Sequence, residues 1–219
     1  MIAKSSMIAG FATVFLVACA DPPLPPPEAS NQQIVYDGSG SFAGATSVEY
    51  AAAAARFASS HVREATLGDT ISIAIIGDGT AATTILARFP TDRSLRLTEA
   101  AERVSATINA IPSREDHMDY SRLHFSFEEV IEPCVGPSAS VIIFTDGLDS
   151  ELGDDPLPPP EPDAFAGCTV KIVGLGRLTQ EDGKPPSALS ADEQADLEAR
   201  WIEWFTQGGA TSVDIVRAL

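Results

Sequence analysis

Two short stretches of this sequence place oxygen-bearing side chains where a strand would end. The first is Asp37-Gly38-Ser39-Gly40-Ser41, which follows the apolar run Ile34-Val35-Tyr36. The second is Thr145-Asp146-Gly147, which follows Val141-Ile142-Ile143-Phe144. Carboxylates and hydroxyls are hard donors that suit Mg2+, Mn2+ or Ca2+. Two carboxylates nearly neutralise such an ion, and hydroxyls add ligands without adding charge. Asp37, Ser39, Ser41 and Asp146 are therefore the candidate metal ligands.

Other chemistries fit less well. Gly38-Ser39-Gly40-Ser41-Phe42-Ala43 has the G-x-G-x-x-[GA] spacing of a dinucleotide loop, but Asp37 at its mouth would repel a pyrophosphate. The only acid near the end of the second strand, Asp78, reads as a turn residue. A serine hydrolase on this kind of sheet needs a G-x-S-x-G elbow, and a P-loop needs Gly-Lys followed by Ser or Thr; neither is written in the chain. His61, His117 and His124 show no ligand spacing relative to the cysteines, which argues against zinc. No poised base is visible beside either motif, so a binding module rather than an enzyme is expected.

Such loops need strands to carry them. Ile71, Ile73 and Ile75 alternate with smaller residues, Asp78-Gly79 supplies turn chemistry, and Thr83 to Phe89 is again β-branched, which predicts an antiparallel hairpin. Thr46-Ser47-Val48-Glu49 has capping-box spacing ahead of an alanine-rich helix with Val48, Ala52 and Ala55 on one stripe. Ala101, Val104, Ile108 and Ile111 predict a second helix over 98–112. Leu123, Phe127 and Val130 predict a third over about 121–131. Val170 to Leu175 reads as a buried strand. Ser190-Ala191-Asp192-Glu193 opens a last helix bearing Leu197, Trp201, Ile202, Trp204 and Phe205, closed by Gly208-Gly209, and Val213 to Val216 is a final strand. Strands and helices alternate, so the expected fold is α/β: one doubly wound, mostly parallel sheet with an antiparallel edge strand and helices on both faces. In such sheets ligands sit beyond the carboxyl ends of the strands where strand order reverses, and there the two aspartates should converge.

The segments Ile34 to Ser41 and Val141 to Gly147 resemble the von Willebrand factor type A domain and its metal-ion-dependent adhesion site, a likeness running over residues 32–219. The resemblance implies that Asp37, Ser39, Ser41 and Asp146 hold a divalent cation, Mg2+ or alternatively Mn2+ or Ca2+. It also implies that a protein partner completes the coordination with a carboxylate. In that family a threonine before the third helix adds an oxygen. This chain has no threonine there, Met118 falls nearest, and Asp119 and Ser121 are the oxygen donors at hand. A degenerate, metal-free site on a structural envelope protein is the alternative expectation.

The amino terminus reads as an export signal. Lys4 precedes an apolar stretch from Met7 to Ala18, too short to span a bilayer comfortably. Leu16-Val17-Ala18-Cys19 resembles the lipobox of bacterial lipoproteins, which implies lipidation at Cys19 and a mature chain held at a cell-envelope membrane by lipid, with no transmembrane helix. Residues 1–18 are then the signal peptide and 19–31 a proline-rich tether. A second proline-rich run, within 151–166, cannot continue a helix or central strand and is expected as a surface loop. With Cys19 assigned to the anchor, Cys134 and Cys168 remain as a pair in an oxidising compartment. Each precedes an apolar run expected as one of two neighbouring parallel strands, so a disulfide is predicted. With 31 acidic against 14 basic residues, the net charge of −17 repels phosphate backbones, which excludes a nucleic-acid partner and favours cationic ones.

Overall fold

The computed structural model describes residues 28–39, 42, 47–66, 68–76, 84–90, 94–113, 122–149, 151–152, 155–176, 189–217 and 219. The signal segment, Cys19, most of the tether, the 78–79 turn, Ser41, His117, Asp119 and Ser121 lie outside these residues. The strands are β1 (Asn31–Asp37), β2 (Thr70–Ile76), β3 (Thr84–Pro90), β4 (Ser140–Phe144), β5 (Thr169–Val173) and β6 (Ser212–Val216). The helices are α1 (Val48–Glu64), α2 (Ser94–Ala110), α3 (Leu123–Val130) and α4 (Ala191–Gln207), with a single 3-10 turn at Ile111–Ser113. Among the described residues no helix is long and apolar enough to cross a membrane.

The six strands form one sheet in the order β3-β2-β1-β4-β5-β6. All pairs are parallel except β2 with β3, so β3 is the antiparallel edge. This is the doubly wound α/β architecture expected from the sequence. The period-2 alternation of side chains divides each central strand between two cores. Ile34, Tyr36, Ile73, Ile142 and Phe144 pack with α1 and α2. Val35, Ala74, Val141, Ile143 and Ile172 pack with α3 and α4 on the other face.

Local chemistry sets the helix ends. Ser47, not Thr46, caps α1 by accepting the Tyr50 amide at 3.2 Å. That choice turns the buried stripe to Ala51, Ala54, Ala55, Ala58 and Val62, and Val48 is exposed rather than inward. The helix α2 begins at Ser94, before the expected start. Ser190 and Glu193 form the reciprocal capping box of α4, which buries Leu197, Trp201, Trp204 and Phe205. Ile202 points outward, since it lies between the turns that face the sheet. The run 155–162 stays irregular, as proline requires, and Pro158 O accepts the Trp204 indole N–H at 2.9 Å.

A disulfide joins Cys134 and Cys168 with their Cα atoms 5.2 Å apart. Cys168 immediately precedes β5, and the segment carrying Cys134 is held to the sheet by the Gln33 side chain, which donates to Glu132 O and accepts the Glu132 amide, each at 2.8 Å.

Candidate metal site at the carboxyl end of the sheet

Strand order reverses at β1, which has β2 on one side and β4 on the other. Tyr36 is in register with Phe144, so Asp37 and Thr145 leave neighbouring strands at the same level. The first loop is tied to β2 by the Gly38 amide donating to Ile76 O at 2.8 Å. The second keeps its connection to β5, with Thr145 N donating to Val173 O at 3.1 Å and Gly176 N to Asp146 O at 2.7 Å. Both loops are therefore extensions of the sheet rather than independent flaps.

The structure links Asp37 to Ser39 and to Thr145, the residue before Asp146. Asp37 and Asp146 are each 0% exposed, and Ser39 and Thr145 are also buried. Asp37 Oδ1 accepts the Ser39 amide at 2.9 Å, and its Oδ2 accepts the Thr145 hydroxyl at 2.7 Å. Thr145 Oγ1 in turn accepts the Gly147 amide at 3.0 Å, and Asp146 Oδ1 accepts the Leu148 amide at 2.8 Å. Burial pushes the Asp37 carboxyl above its ordinary range, and the hydrogen bonds from Thr145 and Ser39 oppose that shift without cancelling it. A carboxylate so desolvated gains most from a nearby cation.

The described donors are all oxygen, which suits Mg2+, Mn2+ or Ca2+. Among the described residues no group of three or more His, Cys, Asp or Glu side chains could hold a metal, so any cation here depends on hydroxyls as well as on the two aspartates. The residues present are of the right type: Asp37 and Asp146 would supply charge and Ser39 a neutral oxygen, and Thr145 is hydrogen-bonded to the Asp37 carboxylate. Ser41, Asp119 and Ser121 lie outside the described residues.

Gly147 has φ of +77°, and a Cβ there would collide with Leu175. Its carbonyl accepts the Trp201 indole N–H at 2.9 Å, which anchors the second loop to α4. Glycine is thus required by both backbone conformation and space.

Sequence reasoning missed two participants. Thr145 was read only as a neighbour of Asp146. Asp149 accepts the His124 ring Nδ1 at 2.6 Å and the His124 amide at 3.2 Å, and so ties the second loop to the start of α3. Asp149 also accepts the amides of Glu151 and Leu152, which fixes the loop's exit. The only advance signal was the run of acids itself. His61, by contrast, lies at the opposite end of the sheet, where Nε2 is 3.0 Å from Gln32 Oε1 and 2.9 Å from Ser140 Oγ.

No protein-family model matches the chain, and no curated protein matches it. Among solved structures, BatB from Bacteroides thetaiotaomicron is similar at 17% identity and a TM-score of 0.46, with 86% of this chain and 91% of that one covered. An aerotolerance-related membrane protein from Bacteroides fragilis is similar at 15% identity and a TM-score of 0.46, over the same shares of the two chains. The PilB minor pilin of Streptococcus sanguinis is similar at 11% identity and a TM-score of 0.49, covering 90% of this chain and 59% of that one. At these levels the fold rests on this chain's own strand order and register.

Proposed function

We propose that this protein is a binding module of the von Willebrand factor type A kind, carried on a bacterial cell-envelope membrane by a lipid at Cys19. It engages a protein partner through a divalent cation at the carboxyl end of the sheet, without catalytic turnover. The observation that carries the reading is the juxtaposition of two buried aspartates, Asp37 and Asp146, on loops that leave the adjacent strands β1 and β4 at the reversal point. When bound there, the cation supplies a Lewis-acid position that a partner's carboxylate can fill.

The chain's own residues do the rest. Asp37 and Asp146 set the charge of the site, Ser39 offers a hydroxyl, and the hydrogen bonds to Thr145, Gly147 and Leu148 hold the carboxylates in place. Of the histidines, His61 and His124 lie among the described residues: His61 is at the far end of the sheet and the His124 ring is held by Asp149, so neither of these two is poised over the aspartates.

Affinity capture tests the reading. The exported, folded protein is used as bait for envelope proteins in Mg2+ and in chelator, beside Asp37→Asn. A protein retained by the wild type in Mg2+, released by chelator and missed by Asp37→Asn supports the proposal. Equal capture in all three conditions contradicts it.

A further inference from the structure

We propose that the groove along the exposed side of α4 takes residues 23–28 of a second copy of this chain, so that copies associate head to tail. The inference is independent of the cation.

The starting observation is a repeat. Pro23-Leu24-Pro25-Pro26-Pro27-Glu28 and Pro156-Leu157-Pro158-Pro159-Pro160-Glu161 are the same residues in the same order, with an aspartate shortly before each, Asp21 and Asp155. The structure describes how the second of these is held. Proline favours polyproline II, which turns once in three residues, so Leu157 and Pro160 share a face. Those two are half-buried, while Pro156, Pro158 and Pro159 are exposed. Leu157 packs against the core that contains Trp204, and Pro158 O accepts the Trp204 indole N–H at 2.9 Å. The Glu161 amide donates to Glu128 Oε1 at 2.7 Å. An aromatic-lined shelf is a recurring seat for a proline-rich segment.

The seated hexapeptide leaves room beside it. Asp196, Ala199, Arg200, Glu203, Trp204 and Gln207 recur at helical spacing and, with Pro156 and Leu157 as the other wall, line a groove of about 500 Å3. From Asp196 to Gln207 the helix rises about 17 Å, and six residues of polyproline II span about 19 Å, so the groove matches the hexapeptide in length. Ala199, Trp204, Pro156 and Leu157 give it an apolar wall. Arg200 attracts Glu28 while Asp196 and Glu203 repel it, so the contact is chiefly apolar and depends little on salt.

The occupant comes from a second copy because of where β1 begins. The Ser30 amide is bonded to Asp69 Oδ1, and Ala29 lies against Gly68, ahead of β2. Trp204 shares its core with Val170 and Ile172 of β5 and with Val213 of β6. Strand order puts β1 and β4 between these two places. The chain leading into β1 therefore sets out on the side of the sheet away from α4, and the groove it meets is a neighbour's. A contact that joins two unlike surfaces repeats from copy to copy.

The test is sedimentation of the exported, folded protein in detergent, from micromolar to millimolar concentration, beside two variants. In Leu24→Gly/Pro25→Gly/Pro26→Gly the hexapeptide loses its leucine and its polyproline preference, at positions that precede every described element. In Ala199→Glu an exposed position in the groove is filled by a good helix former. The expected result is concentration-dependent association of the wild type, weakened about 10-fold or more in each variant alone, and recovered only as a dimer in an equimolar mixture of the two. In that mixture the intact segment of one variant meets the intact groove of the other. A wild type that stays monomeric at millimolar concentration, association that survives the glycine variant, or a mixture that fails to recover it overturns the proposal.

Discussion

Each end of the central sheet holds a fully buried aspartate, and the two are put to different use. At the amino end, Asp69 Oδ1 accepts the Ser30 amide at 2.8 Å and Oδ2 the Thr66 amide at 2.8 Å, so its carboxylate stitches the chain entering β1 to the turn before β2. Gln32 joins them, with its amide nitrogen on Ser138 O, its carbonyl near His61, and the Ser140 hydroxyl donating to it. The nearby disulfide fastens the same end. At the carboxyl end, Asp37 and Asp146 are as deeply buried, on loops that leave adjacent strands, and burial drives the Asp37 carboxyl up. Asp69 engages both oxygens with backbone amides, whereas Asp37 engages one with an amide and the other with a hydroxyl of the second loop. Burial of an acid is a cost that a cation can offset.

On the proposed function, the amino end should carry stability and the carboxyl end binding. Removing the Cys134 to Cys168 bond, whose partners are 34 residues apart, should lower unfolding stability by roughly 3–4 kcal/mol on the chain-entropy model. Denaturant unfolding of Cys134→Ala/Cys168→Ala measures this, and cation binding should survive wherever the double variant is folded. Asp69→Ala leaves the amides of Ser30 and Thr66 without their acceptor and should cost about 3 kcal/mol, read in the same way, again with binding intact.

A smaller effect follows from His61. Burial, with Lys171 adding to it, holds the ring below its ordinary titration range, and Glu64 opposes weakly. The unfolded chain then takes up the proton first as pH falls. Stability is fully present above about pH 6.5, is lost as pH drops below that value, and levels off once the folded ring also protonates. His61→Gln should flatten that part of the stability curve between pH 7 and 5. The smallest expected effect is at Glu198 and Arg217, bonded at 2.7 Å with the arginine side chain 72% exposed. Breaking that pair with Arg217→Ala should shift the denaturation midpoint least of these variants, and less still in salt.

The fold was legible because its signals are local. Val141 to Phe144 is an unbroken apolar run, Val170 to Val173 is interrupted only by Lys171, and the serine and glutamate of the α4 cap lie three residues apart. Both motif aspartates could be found because each ends such a run. The α1 stripe was read only in part, Ala55 inward and Val48 not, because an alanine-rich helix places small apolar residues on every side and spacing alone does not choose the buried face. Thr145 and Asp149 were invisible as participants because their partners, Asp37 and His124, are distant in sequence, and a threonine or aspartate in a polar turn carries no spacing signal. The Gln32, His61 and Ser140 cluster was missed for the same reason: polar residues at strand and helix ends look solvated until the sheet assembles around them.

The measurement that bears most directly on the central claim is a Mn2+ titration of wild type beside Asp37→Asn, with thermal unfolding of both in metal-free buffer. Asparagine keeps the shape of Asp37 and removes the buried charge. The account predicts saturable binding at or below millimolar Mn2+ by the wild type, no detectable binding by Asp37→Asn, and a metal-free thermal midpoint of the variant equal to or above that of the wild type. A wild type that binds no cation at millimolar concentration, or an Asp37→Asn variant that binds as well as the wild type, would contradict it.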